Sequence, residues 1–212
     1  MTTIPAERTP AGALRTIPAV IGIGYALSWA IALSIPVPNP GFDESGSSLV
    51  AKISGHVAAM DLNYLFSEGV PALGLVIVPL WLARAAGWSR AGRITAIAGA
   101  VAAAISLVQF VVGVALAGAT SPDTARLLFE SLNRLDGAKM FVLAVMGVAG
   151  VMAGALPRWL RFTGIAMAVA IAGSGIGYLL LISGMATLAY VSLPLLIVFV
   201  TGSGIILGRS AE

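Results

Sequence analysis

Glu68 stands inside the stretch DLNYLFSEGVPALGLVIVPLWLAR, residues 61–84, which is long and apolar enough to cross a bilayer. An ionisable group at that depth costs about 2.5–3.5 kcal/mol on insertion scales, and by default it marks a functional site. Asp61 precedes it by seven residues, so helical periodicity sets the two carboxylates on one face with Tyr64 between them. Pro71 follows three residues later and loosens the backbone beside Glu68. A second polar group, Arg126, Glu130, Asn133, Arg134, Asp136 and Lys139, precedes a later apolar stretch. If the two stretches are neighbours, Glu68 and Asp61 can meet Arg134, Asp136 or Lys139. One carboxyl kept protonated by apolar surroundings and a second kept ionised by a cation would supply a general acid and a general base.

In that reading Glu68 is the acid, Asp61 or Asp136 the base, and Arg134 or Lys139 sets the charge balance. Tyr64 and Asn133 would orient a substrate, and His56 and Gln109 are further polar candidates for the pocket. Plainer roles compete. Arg126, Glu130 and Arg134 are spaced i, i+4 and can form a solvated face. Asp136 and Lys139 suit the start of a span, Gln109 suits an interhelical hydrogen bond, and His56 suits an interfacial position. Glu68 could pair with a cation solely to set helix register.

The elements that must position these groups are membrane helices. Of 212 residues, 58% are hydrophobic and 10% charged, and the mean hydropathy is +0.99. Ordinary soluble domains carry about 25% charged residues, so a water-soluble globule is excluded. The chain has no cysteine and one histidine, which removes disulfides, thiolate catalysis, thiolate metal sites and a bis-histidine haem. No phosphate loop, HExxH motif, nucleophile elbow or nucleotide fingerprint is present, so neither a cofactor nor a metal is expected. The net charge of +3 reads as a topology signal and not as a nucleic-acid surface.

The predicted fold is all-α: six transmembrane helices at about 17–36, 62–84, 94–117, 137–156, 160–182 and 186–207, forming one domain over 17–207. Polar tails occupy 1–16 and 208–212. Two short extracytoplasmic surface helices complete it. LVAKISGHVAAM aligns Leu49, Ile53, Val57 and Met60 on one side, and SPDTARLLFESLNRL begins with Ser121 as a candidate N-cap before Pro122. Arg8, Arg15, Arg84, Arg90, Arg93, Arg158, Arg161 and Arg209 gather on one side of the six spans. The positive-inside rule therefore places both termini in the cytoplasm, as expected of a multi-pass protein of a bacterial inner membrane. Small residues at Gly147, Gly150, Gly154, Gly173, Gly177, Gly202 and Gly204 offer close helix–helix approach.

The stretch LPRWLRFTGIAMAVAIAGSGIGYLL, preceded by NRLDG and a glycine-rich span, resembles a family of small bacterial six-helix membrane proteins of unknown function. The resemblance covers most of residues 17–182. It implies the six-helix fold, and no residue role comes with it. More loosely, the chain is similar to small integral-membrane terpene cyclases, which are also all-helical and work with intramembrane acids.

The functional expectation is an outward-facing pocket between helices one to four. It would hold a lipophilic small molecule and perform cofactor-free cyclisation, isomerisation or hydrolysis. The alternative is a non-enzymatic accessory protein that binds a partner membrane protein or a second copy of itself through its small-residue faces. A proton-coupled transporter ranks third, because the inner halves of the helices offer no matching acid.

Overall fold

The computed structural model describes residues 11–209, and among these the regular structure is entirely helical. The tails expected at 1–16 and 208–212 fall mostly outside the described residues; where they overlap, α1 (Ala11–Ser34) begins at Ala11 and the last helix runs through Arg209. After α1 come α2 (Gly46–Ile53) and α3 (Val57–Tyr64), then a π turn, Leu65–Gly69, leading into α4 (Pro71–Ala85). The chain continues through α5 (Arg90–Ala117), α6 (Pro122–Met152), α7 (Arg158–Leu180), the single-turn α8 (Ser183–Ala186) and α9 (Ala189–Arg209). Six rods are long and apolar enough to cross a membrane: α1, α3–α4, α5, α6, α7 and α8–α9.

Local chemistry sets the breaks. Ser45 caps α2 by accepting from the Ser48 N–H, and Ser89 caps α5 by accepting from the Gly92 N–H. Gly87 and Trp88 both take positive φ in the turn between α4 and α5, and Leu181 at φ 56° ends α7. Ser121 precedes α6 in an extended conformation but makes no side-chain cap, and Pro122 opens the helix instead.

Two boundaries differ from the sequence expectation. The segment expected as a separate surface helix, SPDTARLLFESLNRL, and the span after it form one helix, Pro122–Met152. At the expected boundary the residue able to interrupt the run is Gly137, and Gly137 sits where α6 crosses α7. A Cβ there would lie 2.6 Å from Leu179 N and 2.8 Å from Gly175 O, so the glycine permits contact between the two backbones. The other expected surface helix breaks at Gly55, whose φ is 90°, and its second half becomes the start of the second rod. Leu49, Ile53 and Met60 are buried as expected, whereas Val57, beyond the break, is exposed.

The rods close into a ring. Each packs mainly on its sequence neighbours, α1 against α4, α4 against α5, α5 against α6, α6 against α7 and α7 against α9, and α9 returns to α1. The α1–α9 seam is tight: Thr201 Oγ1 donates to Gly22 O at 2.9 Å, and Gly204 lies against the Pro18 carbonyl. Of the small residues singled out above, Gly154 departs from a packing role. It takes φ +80° just after α6 with open space around it, and so serves the turn.

Two buried clusters follow. The larger fills the ring with Tyr25, Leu75, Leu82, Met146, Met167 and Phe199 among others. The smaller, with Leu49, Ile53, Met60, Leu116, Ala125 and Phe129, seats α2 on α3, α5 and the first turns of α6. Arg126 ties the preceding loop down, donating from Nη1 to the carbonyls of Phe42 (2.8 Å) and Glu44 (2.7 Å) and from Nε to Glu130. Glu44 in turn pairs with Lys52 of α2, and that ammonium, with the Gly41 N–H, holds the Glu44 carboxyl below its ordinary value.

Candidate functional site

Pro71 shapes the site from the backbone outward. It has no N–H to donate to the Ser67 carbonyl, and its ring crowds that oxygen. The turn before it widens, and the Val70 N–H bonds five residues back, to Leu65 O at 2.8 Å. Glu68 lies within this π turn and is 8% exposed.

Across the ring, α6 supplies Asp136 and Lys139 one turn apart. Lys139 Nζ, 6% exposed, donates to Glu68 Oε1 and Oε2 at 2.8 Å each and to Asp136 Oδ1 at 2.9 Å. All three ammonium donors are thereby used. Gln109 of α5 donates from Nε2 to the same Asp136 oxygen at 3.2 Å and to Leu132 O at 3.4 Å. Helices two and four are therefore joined by this ion pair across the ring, while α5 packs against both. Two carboxylates face one ammonium, so with all three groups charged the cluster carries one excess negative charge.

The cluster lines a central cavity of about 200 Å³ to which all six rods contribute. Tyr25 and Trp29 come from α1, Ser106 from α5 beside the carboxylates, Tyr178 from α7, and Ser192 and Leu196 from α9. A wider cleft of about 520 Å³ shares Tyr178, Ala189 and Leu193 with the cavity and extends past Leu33, Phe42 and Tyr190. Phe42 meets Tyr178 edge-on, with ring centroids 5.5 Å apart at 74°. The neighbouring open space thus lies beside helices one, five and six, whereas the sequence reading put the opening among helices one to four.

Of the residues expected at the site, the structure gathers Glu68, Asp136, Lys139 and Gln109. It places the others elsewhere. Asp61 is outside the cavity lining with Oδ1 buried and unpartnered, because the π turn shifts the phase between it and Glu68. Tyr64 lays its ring over Gly113 of α5 and joins the smaller cluster. Asn133 donates to Phe129 O of its own helix, which occupies the amide in place of a substrate. Arg134 is mostly exposed, 3.5 Å from Glu130. His56 sits exposed at the start of α3 beside Pro36, Pro38 and Lys52.

Sequence reasoning missed Tyr25, Trp29, Tyr178 and Ser192. The signal available was Tyr25, a phenol in the middle of a span, one helical turn from Trp29. No protein-family model, curated protein or solved structure matches the chain, so residue roles rest on this geometry.

Proposed function

We propose that the chain is a multi-pass protein of a bacterial inner membrane, with both termini cytoplasmic, that holds a small lipophilic molecule in the central cavity. Glu68 and Asp136 exchange a proton with it. The support for the reading is that the buried Glu68–Lys139–Asp136 cluster lines open space and is not sealed within packed side chains. Two carboxyls around one ammonium can be occupied by one proton more or fewer without unpairing Lys139, which is what cofactor-free acid/base chemistry needs. Glu68 takes the role of acid. Asp136, which accepts from Lys139 and Gln109, takes the role of base. Cyclisation, isomerisation and hydrolysis are the reaction classes such a pair serves. In this placement α2 and the first turns of α6 form the extracytoplasmic cap over the bundle.

One observation favours a second reading. Lys139 has no donor left over, as a purely structural pair would require, and the protein would then be an accessory subunit whose cluster sets helix register. Native mass spectrometry of the gently solubilised protein separates the two. A small lipophilic adduct on the wild type that is lost in Glu68→Gln is the expected result. A spectrum carrying a second polypeptide and no small adduct would sink the proposal.

A further inference from the structure

We infer that the molecule held in the central cavity is an organic ammonium, a positively charged amine bearing apolar substituents; this rests on the cavity reading above. The reason begins with charge. Once Glu68 has given up its acid proton, Glu68 and Asp136 bring two negative charges and Lys139 one positive, all three largely removed from water, and an uncompensated buried charge is costly. A ligand cation supplies the balance.

Hydrogen bonding shows the same deficit. Lys139 has spent its donors, and Asp136 Oδ1 already accepts from both Lys139 and Gln109. Among the described residues no hydrogen bond reaches Asp136 Oδ2, although Asp136 lines the cavity. Gln109 is 2% exposed, and its Oε1 is buried with no donor. Around the two carboxylates the site is rich in acceptors, whereas elsewhere in the lining Trp29 Nε1 is a buried N–H with no acceptor among the described residues. An anion or a neutral carbonyl would add acceptors; an ammonium adds both charge and a donor.

The remaining walls suit a cation equally. Tyr25, Trp29 and Tyr178 line the cavity, and aromatic faces attract ammonium groups through their ring quadrupoles, most strongly when water is excluded. Volume limits the head. An apolar cavity of about 150 Å³ takes up benzene, so a space of about 200 Å³ accepts an ammonium with a few small substituents or one ring. A longer apolar tail has somewhere to go: the cleft beyond Tyr178, walled by Leu33, Phe42, Leu193 and Pro194.

The test compares benzylammonium with its uncharged isostere ethylbenzene, by equilibrium dialysis against the full chain in lipid nanodiscs with empty nanodiscs as the blank. The wild type should bind the ammonium saturably and at least about tenfold more tightly than the isostere, and Glu68→Gln or Asp136→Asn should remove most of that preference. The comparison within the wild type stands even where a variant fails to fold. Equal affinity for the two probes would overturn the ammonium inference while leaving the cavity reading intact, as would saturable binding of the isostere alone. If neither probe binds but the native small-molecule adduct persists, the ligand class is wrong and the pocket is real. Loss of both the probes and the adduct sinks the two together.

Discussion

Replacing Lys139 by Met should be far more damaging than replacing Glu68 by Gln, although the two residues form one pair. Lys139 is the cluster's single cation and donates at 2.8, 2.8 and 2.9 Å to two carboxylates. Lys139→Met leaves Glu68 and Asp136 facing one another in a largely apolar cavity with no cation between them. Removing one partner of a buried pair costs about 3–5 kcal/mol, and with Glu68 ionised the orphaned charges number two. Glu68→Gln has the opposite effect on the charge count. Lys139 keeps Asp136 at 2.9 Å, an amide oxygen remains as an acceptor, and the excess negative charge disappears. That change should cost roughly 1–2 kcal/mol, the scale of one weakened hydrogen bond to a charged group. Unfolding in mixed micelles of increasing dodecyl sulfate content, followed by tryptophan fluorescence, measures both, and the double variant yields the coupling energy. Equal costs for the single variants, or a Lys139→Met cost below about 1 kcal/mol, would show that water reaches the cluster freely and that the charge argument is wrong.

Four further outcomes follow from particular contacts. Pro71→Ala restores an N–H that can reach Ser67 O, so the π turn should close to an α turn and the Glu68–Lys139 coupling measured in that background should fall by more than half. Gly137→Ala drives a Cβ into the α7 backbone and should cost about 1–3 kcal/mol in the same unfolding assay, whereas Gly24→Ala, with open space around it, should be neutral or gain up to about 1 kcal/mol. Arg126→Ala frees the Phe42 and Glu44 carbonyls, and proteolysis within residues 36–46 should accelerate about tenfold with little change in global unfolding. Because Lys52 lowers the Glu44 proton affinity in the folded chain, its contribution is present above the ordinary carboxylate value of about 4.3 and is lost as pH falls through the lowered one. Amide exchange across residues 46–53 should rise in that acid range, and Glu44→Gln should remove the pH dependence.

Legibility in the sequence followed the range of the physics involved. Six rods were readable because each is a run of apolar residues whose length alone answers the thickness of a bilayer. Half of the site was readable for a similar reason: Glu68, Asp136, Lys139 and Gln109 are conspicuous as polar groups in apolar surroundings, so their cost announces them wherever the chain goes. Asp61, Tyr64 and Asn133 failed because their assignment needed angular phase as well as depth. A seven-residue spacing puts two carboxylates on one face only in an unbroken α-helix, and the π turn ahead of Pro71 withdraws that premise between Asp61 and Glu68. Pro71 was visible and its loosening of the backbone was anticipated; the direction in which the turn would yield was not, since a lost N–H can be accommodated by a kink, a tight turn or a wide one. The aromatic wall was hidden by a different gap. Tyr25, Trp29 and Tyr178 reach the carboxylates only because the first rod closes the ring against the last, and that closure comes from small-residue contacts such as Gly22 with Gly204. Small residues are common in every membrane helix, so the sequence could show that close approaches would occur without showing which ones. The residues that distinguish an ammonium pocket from a structural ion pair are those whose positions depend on that choice.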